Sequence, residues 1–303
     1  MNKTKPFENI LITGITGFLG SHLAKELVNR GYKVTGLIRS KSNTKRINEV
    51  LDLIKICDLD KTPLDRFIWN EKIDCVIHTA CLYGRKNESI EDVNYCNITY
   101  GLEILESLKK NNRPVIFINT STVLPPEVSI YSLSKHKFEE LAKKITIGSG
   151  GRLKFINIRL HNIYGLNDDA EKFINYVIQR CLDNNGVIDL TSGHQKRDYI
   201  HVDDAVNAYV RIIEYFEIKE DLLSQDIDVG TGLLISIHDI VKIIHTKLQS
   251  TTKLNFGSIP TRKGELLEPS IDLNKITYLG WKPQVTLEDG IKELIQEQIS
   301  NKK

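Results

Sequence analysis

The 303-residue sequence contains no long hydrophobic run and no long run of charge of one sign. Its longest apolar runs, such as residues 115–118 (VIFI), are far shorter than the roughly 20 residues that a membrane-spanning helix needs. With 41 basic and 39 acidic side chains, the formal net charge is +2. This balance argues against a surface that binds nucleic acid or lies on a membrane. We therefore expect neither a nucleic acid nor a membrane as a partner.

Cysteine is scarce as well, with five residues and no Cys-x-x-Cys spacing. An odd number without metal-ligand spacing predicts neither a disulfide framework nor a zinc site, so no metal is expected. The first nine residues carry two lysines, but no apolar segment of a secretory signal follows them. Free thiols and the lack of a signal together predict a cytoplasmic protein.

What the sequence does contain is an alternation of short apolar runs with helix-length segments in its first half. The runs are residues 10–13, 34–38, 54–57, 75–78, 115–118 and 155–158. Strands that are apolar on both faces and separated by helices are typical of a parallel sheet covered by helices. After about residue 165 the alternation becomes irregular. The sequence thus predicts a doubly wound α/β domain over residues 1–165 and a smaller substrate-binding lobe over residues 166–303.

A glycine-rich turn, residues 14–20 (GITGFLG), lies between the first predicted strand and a predicted helix. Glycines permit a tight turn, and the free N–H groups at a helix start attract a pyrophosphate. The alternative is a purely structural turn. We expect a dinucleotide to contact the residues of this turn, namely Gly14, Thr16, Gly17, Phe18, Leu19 and Gly20.

Arg39 and Ser40 follow the second predicted strand, where an acidic residue would bind the adenosine ribose of NAD. Because a guanidinium suits a 2′-phosphate, Arg39 favours NADP(H), with NAD as the other possibility. A solvated basic loop is the alternative interpretation.

Tyr131 and Lys135 are four residues apart and therefore share one face of a predicted helix. Two charges about 4 Å apart interact by roughly 4 kcal/mol at an effective dielectric near 20, so we expect Lys135 to lower the pKa of Tyr131, against some desolvation. Such a phenol can exchange a proton with a sugar oxygen during hydride transfer. Thr120 and Thr122 point to one face of the fifth strand, whereas Ser121 points away.

These motifs together resemble the extended, nucleotide-sugar-modifying branch of the short-chain dehydrogenase/reductase superfamily. The resemblance implies a Rossmann fold, a nicotinamide cofactor and a homodimer formed through the helices of Asn97 and Tyr131. It also implies that Lys135 holds the nicotinamide ribose, that Thr120 is the catalytic hydroxyl with Thr122 as second choice, and that Asn97 organises the active-site helix. The remaining cofactor contacts that it implies are Asp58, Leu59, Thr79, Ala80, Cys81, Tyr83 and Asn97.

Residues 81–85, 117–126, 131–135 and 180–199 resemble CDP-abequose and CDP-paratose synthases. That resemblance implies an NADPH-dependent reductase of the C4 ketone of a CDP-linked 4-keto-deoxyhexose. Resemblance to the family also implies substrate contacts from Arg85, Thr122 and Asn162. Arg197 and Arg262 are candidates to bind the phosphates, because a guanidinium matches phosphate oxygens, and a surface arginine is the alternative for each. An epimerase with tightly bound NAD and a non-enzymatic dinucleotide sensor are the alternatives.

Dehydratases of this branch carry an Asp-Glu pair directly after the catalytic Thr. Here Ser121 and Thr122 stand in that place. A 4,6-dehydratase is therefore not expected.

Overall fold

The structure is a computed structural model that describes residues 7–111, 113–184, 186–218, 224–262 and 264–301. It divides into two compact units. The first comprises the described residues of Met1–Arg159 and Ala208–Ile227, and the second those of Leu160–Asn207 and Asp228–Lys303. The sequence predicts one boundary after residue 165, whereas the first unit also includes described residues of Ala208–Ile227. The chain returns to the first unit because the strand near residue 227 extends the sheet of that unit.

The described residues form twelve strands, β1 to β12 in chain order: Asn9–Thr13, Lys33–Ile38, Lys55–Asp58, Cys75–His78, Val115–Thr122, Leu153–Leu160, Asn162–Tyr164, Val187–Leu190, Lys196–His201, Ser224–Val229, Leu234–Ser236 and Lys253–Phe256. They also form ten α-helices, α1 to α10: Phe18–Asn29, Leu64–Asn70, Ile90–Asn94, Tyr100–Lys110, Ile130–Ile147, Phe173–Asp183, Val202–Ile218, Ile237–Lys247, Asn274–Tyr278 and Leu287–Asn301. Short 3₁₀ helices cover Lys45–Leu53 and Pro126–Val128.

The first unit is built on a parallel seven-stranded sheet with the order β10-β6-β5-β4-β1-β2-β3. All six predicted runs form strands of this sheet, so the predicted doubly wound α/β fold is confirmed. The order runs outward from β1 in both directions, which places the carboxyl ends of β1, β4 and β5 side by side at one edge. Ligands of such sheets bind at this edge.

The core of the first unit explains why its strands are apolar on both faces. Phe117 and Phe155 of the central strands pack against Phe138 of α5, and all three are fully buried. Leu105 of α4 and Val76 of β4 belong to the same core. Helices cover both sides of the sheet, so alternation of polar and apolar residues along the strands is lost.

The second unit contains two small sheets, β11-β9-β7 and β12-β8. Helix α6 packs against α8 and α10, and Ile178, Val241 and Leu294 are buried in the core of this unit. None of the helices in the described part of the chain is both long and apolar enough to cross a membrane.

Candidate active site

The glycine turn packs closely against neighbouring backbone. Gly14 has a φ of +66°, and a Cβ atom there would lie 2.7 Å from the nitrogen of Ala80. A Cβ atom on Gly20 would lie 2.2 Å from the carbonyl oxygen of Gly14. Among the residues that the structure describes, none caps the start of α1 with its side chain. The first N–H groups of α1, at Phe18 and Leu19, therefore remain available to a phosphate, as a dinucleotide requires.

A buried hydrogen-bond cluster joins the ends of β1 and β4 next to this turn. Thr13 Oγ1 lies 2.8 Å from Nδ1 of His78, and it accepts a hydrogen bond of 3.2 Å from the nitrogen of Ala80. Thr79 Oγ1 donates to the carbonyl oxygen of Thr13 at 2.7 Å. Burial, reinforced by the charge of Lys135, lowers the pKa of His78 to about 3, so its imidazole is neutral. The sequence did not identify Thr13 and His78 as site residues, although both directly precede predicted ones.

The loop after β2 presents a free cation. Arg39 is exposed, and its guanidinium forms no ion pair with any residue in the described part of the chain. Ser40 Oγ donates to Oδ2 of Asp58 at 2.7 Å, and this bond, helped by Lys61, lowers the pKa of Asp58. Leu59 follows, and its nitrogen donates to the sheet at the carbonyl oxygen of residue 38. The exposed guanidinium of Arg39 could therefore bind an anionic group of a ligand.

Tyr131 and Lys135 lie in the first two turns of α5. The helix begins with a capping box in which Ser129 Oγ accepts from the nitrogen of Ser132 at 3.1 Å. Lys135 is fully buried, and its Nζ donates to the carbonyl oxygen of Thr120 at 2.8 Å. Burial lowers the pKa of Lys135. The buried ammonium thus links α5 to the end of β5.

The phenol of Tyr131 holds its proton strongly. Burial is the largest cause and raises the pKa of Tyr131 well above its usual range. The neighbouring Cys81 thiol raises it further, whereas the Thr122 hydroxyl and the Arg85 guanidinium lower it. We expected Lys135 to lower the pKa of Tyr131. That prediction is wrong, because the surroundings of Tyr131 raise its pKa and Lys135 is not among the groups that lower it. Desolvation outweighs the favourable charges, and the Lys135 ammonium is directed at a carbonyl instead.

The ring of Tyr83 covers Tyr131. The two ring centroids are 4.8 Å apart, and the guanidinium of Arg85 lies 5.8 Å from the centroid of Tyr83. The predicted residues of the segment after β4 therefore do meet the predicted catalytic phenol.

The two candidate hydroxyls of β5 have different partners. Thr120 is partly exposed, and its Oγ1 lies 2.7 Å from the hydroxyl of Tyr209 in α7. Thr122 is buried beside the phenol of Tyr131, and its Oγ1 accepts from the nitrogen of Leu124 at 3.2 Å. Nothing in the sequence points to Tyr209, because it lies in a helix far along the chain.

Asn97 ties the segment after β4 to α5. It lies in a single π-helical turn, Tyr95–Thr99, between α3 and α4, and it is fully buried. Its side chain accepts from the nitrogen of Leu82 at 2.8 Å and donates to the carbonyl oxygen of Leu82 and to Ser134 Oγ, both at 2.9 Å. Such turns are frequent at functional sites. This contact fits the organising role that the resemblance implies.

The remaining predicted substrate residues lie in the second unit. Asn162 and Arg262 are exposed. The guanidinium of Arg197 pairs with the carboxylate of Glu265 and donates to the carbonyl oxygen of Leu266 at 2.7 Å. Arg197 therefore already has partners in its own unit.

The comparisons with known proteins agree with this geometry. Residues 10–230 match the NAD dependent epimerase/dehydratase family. A CDP-abequose synthase of Salmonella muenchen is 33% identical over 95% of this chain and 97% of its own length. One of Salmonella typhimurium is 28% identical over 95% and 98%. The structure of the UDP-glucose 4-epimerase of Thermotoga maritima with UDP-glucose shares the fold, with a TM-score of 0.82 at 24% identity over 97% and 100% of the two chains.

The first unit combines a tight glycine turn before α1, a buried lysine that donates to the carbonyl oxygen of Thr120, and a tyrosine beside the Thr122 hydroxyl. These features fit an NAD(P)-dependent enzyme of the extended short-chain dehydrogenase/reductase type. With the match over residues 10–230, the chain belongs to the NAD dependent epimerase/dehydratase family.

Proposed function

We propose that this enzyme reduces the C4 ketone of a CDP-linked 4-keto-deoxyhexose with NADPH. The observation that carries the proposal is the placement of the Tyr131 phenol beside the hydroxyl of Thr122, a residue that stands where dehydratases of this branch carry a carboxylate. Similarity to the two CDP-abequose synthases over nearly the whole chain supports the sugar and the nucleotide.

Each catalytic side chain has one task in this reduction. NADPH, when bound, supplies the hydride. Tyr131 donates its proton to the oxygen at C4 as the carbonyl becomes an alkoxide, because its raised pKa keeps the phenol protonated at neutral pH. Thr120 donates a hydrogen bond to the same oxygen. Lys135 fixes Thr120 by donating to its carbonyl oxygen, and it would hold the nicotinamide ribose.

The cofactor contacts follow the geometry of the first unit. We assign the pyrophosphate to the turn from Gly14 to Gly20 and the 2′-phosphate to Arg39 and Ser40. The adenine would meet Asp58 and Leu59, and Thr79–Cys81 would border the nicotinamide half. The guanidinium of Arg39, which is exposed and forms no ion pair within the described ranges, is the feature that supports NADPH over NADH.

Substrate contacts and assembly belong to the same proposal. Arg85 and Thr122 would contact the sugar. Asn162, Arg197 and Arg262 would contact the sugar or the diphosphate, and Arg197 would have to exchange Glu265 for a phosphate oxygen. The helices that carry Asn97 and Tyr131 would form the homodimer.

One assay separates this function from 4-epimerisation with bound NAD, which the name of the family suggests as the second candidate. The purified enzyme is mixed with NADPH and a CDP-3,6-dideoxy-4-ketohexose. Loss of NADPH absorbance in a one-to-one ratio with the reduced sugar supports the reductase. Interconversion of CDP-hexose epimers without net NADPH oxidation, with NAD released on denaturation, would establish the epimerase instead.

A further inference from the structure

Tyr209 is a large, fully buried side chain behind the proposed catalytic hydroxyl. It lies in α7, and none of its surface is exposed. Its hydroxyl lies 2.7 Å from Thr120 Oγ1, and this is its one hydrogen bond among the residues that the structure describes. Tyr209 also lies close enough to Tyr131 to raise the pKa of that phenol. The side chain therefore belongs to the surroundings of the site without reaching its surface.

The direction of this hydrogen bond follows from counting hydrogens. A tyrosine and a threonine hydroxyl each have one hydrogen to donate. If Thr120 donated, the hydrogen of Tyr209 would be buried without an acceptor, an arrangement that folded proteins avoid because the group loses its bond to water. Tyr209 therefore donates to Thr120, and the hydrogen of Thr120 stays free.

Thr120 is consequently held at two atoms. Lys135 Nζ donates to its carbonyl oxygen at 2.8 Å, and Tyr209 donates to its Oγ1 at 2.7 Å. Thr120 is partly exposed, whereas Lys135 and Tyr209 are buried. The hydroxyl hydrogen of Thr120 is therefore not used in the bond to Tyr209. It can be donated to a ligand on the exposed side of Thr120.

We propose that Tyr209 is a positioning residue that forces the Thr120 hydroxyl to act as a hydrogen-bond donor toward the substrate carbonyl. This inference rests on the proposed role of Thr120. A hydroxyl whose donor direction is set before the substrate arrives needs no reorganisation as negative charge develops on the carbonyl oxygen.

Tyr209→Phe tests the proposal because it removes the hydroxyl and keeps the ring. We expect kcat to fall by roughly tenfold, the size of coupling found between directly bonded groups. The KM for NADPH and the thermal midpoint should stay nearly unchanged, because the ring still fills its site. The matched control is Tyr164→Phe, since Tyr164 is also buried and its hydroxyl has no hydrogen-bond partner among the described residues. The control should keep kcat.

A double-mutant cycle with Thr120→Val distinguishes positioning from a general structural effect. Thr120→Val should lower kcat more than Tyr209→Phe, and adding Tyr209→Phe to it should lower kcat no further. An equal loss in both backgrounds, unchanged kcat in Tyr209→Phe, or a loss matched by Tyr164→Phe would overturn the role of Tyr209. Full activity of Thr120→Val would instead overturn the proposed role of Thr120.

Discussion

Replacing Gly20 by alanine tests the dinucleotide site at the point where the backbone is tightest. The added Cβ atom would lie 2.2 Å from the carbonyl oxygen of Gly14 and 2.9 Å from Cα of Ile15. Both neighbours are backbone atoms, so no flexible side chain can move aside. Real Cβ atoms essentially never come closer than 3.0 Å to another atom. The turn must therefore move away from α1 by close to an ångström.

A displacement of that size is large compared with the tolerance of a hydrogen bond. Gly17 donates to the carbonyl oxygen of Gly14 at 2.9 Å, and this bond holds the turn in shape. If the shift removes two charge-assisted bonds to the pyrophosphate, each worth about 1.5–3 kcal/mol, the loss is roughly 3–6 kcal/mol. We expect the Kd for NADPH to rise by at least about two orders of magnitude.

The assay is a fluorescence or calorimetric titration of the folded variant with NADPH. Gly148→Ala serves as the control, because a Cβ atom at the end of α5 would meet no described atom closer than 3.5 Å. It should bind NADPH as the unchanged enzyme does. If a folded Gly20→Ala variant bound NADPH within a few-fold of the unchanged enzyme, the close approach would not serve the cofactor and the assignment of the turn would fail.

Three further predictions concern charge and protonation. Arg39→Ser should weaken NADPH binding by about 10- to 100-fold, which corresponds to the loss of one charged hydrogen bond, and it should leave NADH binding unchanged. Lys41→Ser is the control. Equal losses of affinity for both cofactors would contradict the assignment of the 2′-phosphate to Arg39. Since burial raises the pKa of Tyr131, kcat for reduction should show no loss from this group between about pH 6 and 9, below even the ordinary tyrosine value. Tyr131→Phe should abolish turnover and keep cofactor affinity. An absorbance titration in which a phenolate appears within that pH range in the unchanged enzyme, but not in Tyr131→Phe, would refute the argument. His78 has a pKa of about 3 when folded and about 6.5 when unfolded, so stability should fall by about 1.4 kcal/mol per pH unit as pH drops below 6.5. Denaturant titrations should show that stability depends less on pH in His78→Gln than in the unchanged enzyme; an equal slope in His78→Gln would refute the linkage.

The sheet was predictable from the sequence because its strands are buried on both faces. Six apolar runs of four or five residues, separated by helical segments, leave few arrangements other than a parallel sheet. The glycine turn between β1 and α1 was predictable for a related reason, since close approach of backbone to backbone excludes side chains and leaves glycine in the sequence. Spacing also placed Tyr131 and Lys135 in adjacent turns of one helix.

Properties that depend on burial and on distant contacts were not predictable. Four-residue spacing brings Lys135 near Tyr131, but it does not reveal that the ammonium donates to Thr120. The direction of the Tyr131 pKa depends on how many atoms surround the phenol, which is a tertiary property. Tyr209 reaches Thr120 only because α7 returns residues 208–218 to the first unit. No local sequence pattern predicts that residues 208–218 pack in the first unit.

The protonation of Tyr131 bears on the direction of the chemistry. Oxidation of a C4 hydroxyl, the first step of epimerisation, needs a base, and each unit by which the pKa of a phenol is raised reduces its phenolate about tenfold at a given pH. Reduction needs an acid, and it draws on the abundant protonated form. The groups of this chain raise the pKa of Tyr131, and a hydroxyl at Thr122 provides no carboxylate to remove a proton for dehydration. The raised pKa of Tyr131 therefore supports the reduction that we propose, because that reaction starts from the protonated phenol.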